Sequence, residues 1–156
     1  TLSATPYSLR DAMGTSGDSL TVDFTLRSLV PATKIVDFVL VNAVTDEDVA
    51  SLTDGVVYVN DVDLSKCNIR VDVQDEAGVS KVAIVLENVA SRTEGRAPYA
   101  LFGDLGGDYV SGALAAERLY TLTATAYTLA NVAGTPRTVD FRLRVPTTTP
   151  TPEPTP

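Results

Sequence analysis

The sequence predicts an all-β protein built as a sandwich of two sheets. Apolar and polar residues alternate in short segments, and turn-forming residues separate these segments about every ten positions. Apolar residues make up 44% of the chain, and they are mostly Val, Leu and Ala accompanied by many Thr, a composition that favours strands. No segment has the 3.6-residue periodicity of an amphipathic helix. Together these observations predict a β-sandwich.

The clearest pair of strands lies near the C-terminus, in residues 121–129 and 138–144. Apolar residues alternate with threonines in the first segment and with charged residues in the second. The loop between them, 130–137, contains Asn, Gly and Pro, which interrupt strands. The pattern predicts a hairpin with one apolar face. The residues expected on that face are Tyr120, Leu122, Ala124, Ala126, Val139, Phe141, Leu143 and Val145.

The same hairpin occurs a second time at the start of the chain. Residues 1–9 match 121–129, and residues 21–27 match 138–144, almost letter for letter. Only the loop differs, and it is longer in the N-terminal copy. A self-match at this spacing is typical of tandem modules. We therefore expect the chain to be a piece of a longer repeat protein.

These matches predict four regions along the chain. Residues 1–29 are expected to be the last hairpin of a preceding repeat, and 30–33 a connector. Residues 34–145 are expected to form a complete module. Residues 146–156 alternate Pro with Thr and Glu. They predict an extended polyproline II linker with the composition of an O-glycosylated stalk.

Inside the module the alternation predicts further strands and turns. The acidic segment 42–54 is expected to be a loop that ends at an Asp-Gly turn, and 113–118 a single helical turn. The remaining strands are expected at 35–41, 56–60, 68–73 and 81–87.

Charge and composition exclude several functions. The net charge of −8 and the pI near 4.4 argue against binding to nucleic acid or to anionic membrane surfaces. The sequence has no histidine, the commonest general base and metal ligand. The single cysteine, Cys67, allows neither an intrachain disulfide nor a thiolate zinc site. We expect it to be a buried, inert thiol; an intermolecular disulfide or a reactive thiol is the alternative. No segment is suited to membrane insertion.

Several segments of the module resemble a known family. The relevant segments are 82–88 (VAIVLEN), 92–94 (RTE), 97–104 (APYALFGD) and 120–124 (YTLTA). They resemble bacterial-type immunoglobulin-like modules, which recur in tandem in secreted and cell-surface proteins, including adhesins and multidomain carbohydrate-active enzymes. The resemblance implies an immunoglobulin-like antiparallel β-sandwich that acts as a scaffold, and it supplies no catalytic residues.

One residue of this pattern has a specific structural expectation. Tyr120 stands two residues before Leu122, where antibody-type domains place a tyrosine corner ahead of their second core cysteine. Leu122 would then replace the disulfide by apolar packing.

The acidic loops are the candidate metal sites. Asp104 and Asp108 flank a glycine-rich turn, and Asp61 and Asp63 lie in another loop. Carboxylates suit Ca²⁺, although none of these segments has the spacing of a defined calcium loop. The alternative is that they are solvated carboxylates in turns.

Exposed tyrosines are the candidate glycan site. Tyr109, beside the glycine-rich turn, is the best candidate for a platform that stacks on a sugar ring. The tyrosines at 58, 99, 120 and 127 lie in or beside predicted strands, where packing is the expected role.

The N-terminal hairpin is the candidate assembly face. An isolated hairpin is marginally stable, so its apolar side needs a cover. A preceding repeat of the same protein would cover it in cis, or a neighbouring copy by strand addition; an arbitrary chain end is the remaining alternative. The residues expected on this face are Leu2, Ala4, Val22, Phe24 and Leu26.

The sequence therefore predicts a structural or spacer module of an extracellular or cell-surface repeat protein, such as a stalk, fibre or adhesin shaft, and no enzyme. Its expected partners are neighbouring repeats or copies of the same protein, with O-linked glycans on the Thr/Pro tail. The alternative is a non-catalytic glycan-binding module attached to a secreted enzyme.

Overall fold

Strands account for most of the secondary structure in residues 2–7, 14–23 and 33–146, which this computed structural model describes. The chain divides into two units, Thr1–Pro31 and Ala32–Pro156. The first contains β1 (Leu2–Ala4) and β2 (Leu20–Val22). The second contains β3 (Lys34–Asn42), β4 (Glu47–Ser51), β5 (Gly55–Tyr58), β6 (Cys67–Gln74), β7 (Val79–Leu86), β8 (Ala90–Glu94), β9 (Tyr99–Ala100), β10 (Asp104–Leu105), β11 (Asp108–Tyr109), β12 (Leu119–Thr128) and β13 (Arg137–Arg144).

The second unit is a sandwich of two sheets. One sheet has the order β5-β13-β12-β7-β8, and the other has the order β4-β3-β6-β9. All neighbours are antiparallel except β13 and β5, which run parallel from Phe141 to Arg144. The prediction of an immunoglobulin-like β-sandwich is confirmed.

The core lies between the sheets, and the alternation of β12 and β13 decides which side chains enter it. Residues 120, 122, 124 and 126 of β12 are buried, as are residues 139, 141 and 143 of β13. The threonines between them are half-buried or exposed on the outer face. The expectation for Val145 is wrong, because β13 ends at Arg144 and Val145 is 36% exposed.

Strand β3 is buried on both faces over its second half. Phe38, Leu40, Val39 and Val41 are all at most 6% exposed. It pairs with β4 on one side and with β6 on the other. Phe38 and Leu40 belong to the core between the sheets, whereas Val39 and Val41 are buried on the opposite face. The nearly continuous apolar run in the sequence corresponds to this burial of both faces.

Two elements differ from the sequence-based expectations. The acidic segment 42–54 is not only a loop, because Glu47–Ser51 forms β4 at the edge of its sheet. Charged residues are compatible with an edge strand that has one side in water. The segment 113–118 contains no helix; it turns at Ala116 and Glu117, and Glu117 has φ +60°, which an α-helix excludes. The only helical pieces in the described residues are two short 3₁₀ turns, Leu64–Lys66 and Glu76–Gly78.

Candidate functional site

The N-terminal hairpin presents one apolar and one hydroxyl-bearing face. On the apolar face, Leu2 is 65% exposed, Leu20 70% and Val22 49%, and Ala4 is also exposed. Phe24 and Leu26, the other two residues expected there, lie outside the described residues. On the opposite face, cross-strand hydroxyl pairs form hydrogen bonds. These are Ser3 with Thr21 at 2.9 Å and Thr5 with Ser19 at 2.6 Å.

Leu20 also lies on the apolar face of the N-terminal hairpin, although the sequence does not predict it there. The sequence comparison places Leu20 in the loop between the matching segments 1–9 and 21–27, and its equivalent in the C-terminal copy is a charged residue, Arg137. The cross-strand neighbour of Leu20 is Ala4, which places it beside Leu2 and Val22. The four side chains form a continuous apolar surface, which we call the hairpin face.

The acidic residues Asp104 and Asp108 belong to one short hairpin, β10–β11. Gly106 and Gly107 form its turn with φ +71° and +103°, values that favour glycine. Asp104 is paired with Tyr109, and Asp108 with Leu105, so the two carboxylates are on opposite faces of the hairpin. The Asp104 carboxylate accepts a hydrogen bond from the N–H of Gly107 at 2.7 Å, which stabilises the turn.

Asp61 and Asp63 lie before the 3₁₀ turn Leu64–Lys66. Asp63 is its N-cap and accepts hydrogen bonds from the backbone N–H and the hydroxyl of Ser65 at 3.1 and 2.6 Å. These bonds, with the nearby Lys66, hold the pKa of Asp63 below its ordinary value. Asp61 adopts φ +51°. In the part of the chain that the structure describes, no three acidic, Cys or His residues converge in a group that could hold a metal ion. Calcium binding stays a prediction.

A network of charges covers part of the outer face of the four-stranded sheet. The guanidinium of Arg70 on β6 binds the carboxylate of Asp48 on β4 at 2.7 and 3.0 Å, and that of Asp72 at 2.7 and 3.2 Å. These hydrogen bonds raise the pKa of Arg70 further above its already high value. Beside it, the Asp46 carboxylate accepts a hydrogen bond from the N–H of Tyr109 at 3.1 Å. The bond between Asp46 and Tyr109 joins the β3–β4 turn to the β10–β11 hairpin.

An open cleft of about 490 Å³ borders this network at the β9 edge. Its lining includes the acidic residues Asp72 and Glu76 together with Pro98 and Tyr99. The only tyrosine that it contains is buried at 3% exposure, so its ring is not available for stacking on a sugar.

A buried asparagine holds the loop around this edge, and sequence analysis did not identify it. The side chain of Asn68 is fully buried and donates to the carbonyls of Gly103 and Val110 at 2.9 and 2.8 Å. Its carbonyl oxygen accepts from the N–H of Ile69 and of Phe102 at 2.7 and 3.1 Å. Its hydrogen-bonding capacity is therefore used to fix the loop that carries β10 and β11.

Cys67 is fully buried next to this asparagine. Burial, and to a lesser extent the negative charge of Asp63, raise its pKa to about 11. The thiol is therefore protonated at neutral pH, which agrees with the expectation of an inert cysteine.

Within the second unit, the accessible ring of Tyr58 and the partly accessible ring of Tyr127 are separated from each other. Tyr58 is 61% exposed, and the Arg144 guanidinium lies 5.9 Å from the centre of its ring. Tyr127 is half-buried near the far end of β12, with the Lys81 ammonium 4.8 Å from its ring centre. At about 3.3 Å per residue, these two rings are at opposite ends of the sheet. Tyr109, the candidate sugar platform, is half-buried at the β10–β11 hairpin.

Comparisons with known proteins add little beyond the fold. No family model matches the chain, and no curated protein matches it. Among solved structures, it is similar to the fibronectin(III)-like modules of CbhA from Clostridium thermocellum. That match has 15% sequence identity and a TM-score of 0.37, and it covers 62% of this chain and 94% of the other. A likeness at this level carries no conclusion about function.

Proposed function

We propose that this chain is a non-catalytic structural module that serves as a spacer in a secreted or cell-surface repeat protein. The observation that carries the proposal is the duplicated hairpin: one chain contains two copies of the same strand pair with closely matching sequence. Duplication of this kind is typical of proteins built from tandem repeats. In such proteins each module contributes length and stiffness.

The sandwich suits a spacer mechanically. Its core includes large, fully buried side chains from both sheets, among them Phe38, Leu40, Tyr120 and Phe141. A closely packed core of this kind resists deformation. The Pro/Thr composition of 146–156 would add a semi-rigid extension with sites for O-linked glycans.

The composition and the buried thiol support a non-enzymatic role. The sequence has no histidine for acid–base chemistry, and its one thiol is buried and protonated. The net charge of −8 favours solubility. No helix in the described residues is long and apolar enough to cross a membrane.

The spacer role is tested by measuring length. Two, three and four copies of the 156-residue chain are joined end to end, and the maximum dimension of each is measured by small-angle X-ray scattering. A spacer gives a dimension that grows linearly with copy number, whereas flexible chains grow about as its square root. A matched series replaces 146–156 with Gly/Ser of equal length, which should shorten each concatemer.

Square-root growth in both series would overturn the spacer proposal. A glycan array provides the opposite test. Binding to a defined sugar that is lost in Tyr109→Ala, with unchanged unfolding, would favour the glycan-binding alternative over the spacer.

A further inference from the structure

We propose that β1–β2 is the closing hairpin of a second sandwich of the same build, and that the hairpin face is covered by a preceding repeat equivalent to residues 33–120. This inference deepens the proposed function and rests on it in one respect, namely that the protein contains further repeats.

The two hairpins have the same strand register. The loops that join their strands differ in length, and loop length normally determines register. The agreement is therefore a property of the strands. The equivalent cross-strand pairs are Leu2–Val22 and Leu122–Val139, Ser3–Thr21 and Thr123–Thr138, and Ala4–Leu20 and Ala124–Arg137.

The agreement extends to side chains and to the loop ends. The hydroxyls of Ser3 and Thr21 are 2.9 Å apart, and those of Thr123 and Thr138 are 2.8 Å apart. In the loop of each hairpin, a glycine N–H donates a hydrogen bond of 2.8 Å to a carbonyl near the end of the first strand segment. Each hairpin also has one isolated β-bridge next to this bond. The glycine contacts are Gly17 to Pro6 and Gly134 to Ala126, and the bridges are Tyr7–Ser16 and Tyr127–Ala133.

The apolar faces of the two hairpins share the Leu–Val pair and the first Ala, but they differ in how far they are covered. Leu122 and Val139 are 0% and 4% exposed. Their equivalents Leu2 and Val22 are 65% and 49% exposed. In the C-terminal copy the opposite sheet covers the apolar face. The edge of β12 that faces away from β13 is paired with β7. The same molecule thus shows which structure fits this hairpin: an open sandwich with strands equivalent to β3 through β9.

Within the described residues, β1 pairs only with β2, and its other edge can accept such a strand. In β12, the Thr121 carbonyl faces β7 and accepts a hydrogen bond from the N–H of Glu87, which follows β7. The Ala126 carbonyl faces the other side and accepts a hydrogen bond from the N–H of Gly134 in the hairpin loop. Because backbone groups alternate in direction along a strand, residues 122, 124 and 126 direct their N–H groups away from β7. Pro6 is equivalent to Ala126. Its missing N–H therefore faces the hairpin loop, and the edge for a β7-like strand is intact.

A second copy of this chain is a poor occupant. In every copy the matching position is already filled by β12–β13, whose apolar side chains are buried and which is covalently joined to its own sandwich. The local concentration of a tethered hairpin exceeds that of one from another molecule. A repeat that ends before its own closing hairpin has this position open, and residues 33–120 correspond to such a repeat.

The experiment places this repeat in front of the full chain. Residues 33–120 are fused directly to residue 1, so that Thr1 takes the place that Thr121 has in the module. Hydrogen exchange of segments 2–7 and 14–23 is compared between the fusion and the unfused chain. The inference predicts slower exchange in the fusion, by about 100-fold or more, because these amides then open only with the new module.

A matched variant identifies the surface responsible. Leu2→Asp with Val22→Asp in the fusion should abolish the added protection while exchange in the C-terminal module is unchanged. Equal exchange in fusion and unfused chain would overturn the inference. So would a dimer of the unfused chain, detected by light scattering and abolished by the same substitutions, because a second copy would then be the occupant.

A disulfide tests the register directly. Thr123 pairs with Val85, so Ser3→Cys should form a disulfide with Val85→Cys of the front repeat. Lys81→Cys in that repeat, four residues away along the same face of the strand, is the control and should not form the bond. If neither fusion forms the bond, the inference is wrong. Linear growth of the concatemers would still support the spacer role.

Discussion

The phenolic oxygen of Tyr120 lies 2.8 Å from the backbone nitrogen of Ala115, whose N–H donates a hydrogen bond to it. The same hydroxyl points back to the carbonyl of Ala115 at 3.4 Å. The ring is 1% exposed and stacks on Phe141, with 5.4 Å between centroids. One side chain thus ties the turn before β12 to the core, with the geometry of a tyrosine corner.

Removal of this hydroxyl should destabilise the fold by a moderate amount. Tyr120→Phe keeps the ring and its packing but leaves the Ala115 N–H without its partner. We expect the free energy of unfolding to fall by about 1 kcal/mol. Urea denaturation measures it. Tyr58→Phe, in an exposed ring, is the control and should change stability by less than about 0.5 kcal/mol. Equal effects at both positions would show that the corner contributes nothing specific.

Asn68 should be among the most sensitive polar residues. Asn68→Ala removes the partner of two N–H groups and of two carbonyls at the β9–β11 loop. Since each buried polar group left without a partner costs about 1–3 kcal/mol, we expect a loss of about 3 kcal/mol or more. The exposed Asn60→Ala is the matched control. A loss below about 1 kcal/mol would mean that water replaces these bonds.

The close approach of Gly112 to Phe102 predicts a coupled pair. A Cβ at residue 112 would overlap the Phe102 ring, so Gly112→Ala forces the ring to move. We expect it to cost about 1–3 kcal/mol. In a double-mutant cycle with Phe102→Ala, the cost of Gly112→Ala should largely disappear, because the clash is then absent. Additive effects would place the strain elsewhere.

The ion pair between Glu117 and Arg144 predicts a pH dependence. Two hydrogen bonds of 2.7 and 3.0 Å from Arg144 lower the pKa of Glu117 below its ordinary value near 4.5. A lowered folded-state pKa stabilises the fold above the unfolded pKa, and this contribution disappears as the pH falls through the folded-state pKa. The stability difference between wild type and Glu117→Gln should therefore be largest near pH 7 and vanish in acid.

Urea denaturation at a series of pH values from 7 to 2 provides this measurement. Glu87→Gln, at an exposed position outside this ion pair, is the control for the loss of a surface carboxylate. Since the pair is exposed to solvent, 1 M salt should also reduce the difference at pH 7. A difference that is constant with pH would contradict the proposed role of the charge.

Local patterns in the sequence determine much of this protein. Alternation in 121–129 and 138–144 predicts which side chains of β12 and β13 enter the core, because the side-chain period of a strand is two wherever the strand lies. The tyrosine corner follows from the position of Tyr120 relative to Leu122. The second hairpin follows from self-comparison of the sequence. Each of these conclusions needs only neighbouring residues or an internal match.

Other features depend on partners that only the tertiary structure brings together. The acidic strand β4 exists because β3 pairs with it, although its composition is typical of a loop. Asn68 binds carbonyls 35 and 42 residues away, so no local pattern distinguishes it from a surface asparagine. Leu20 joins the hairpin face through its pairing with Ala4 across a loop. Burial and hydrogen bonding are set by contacts between distant segments, whereas alternation is set by the geometry of each strand alone.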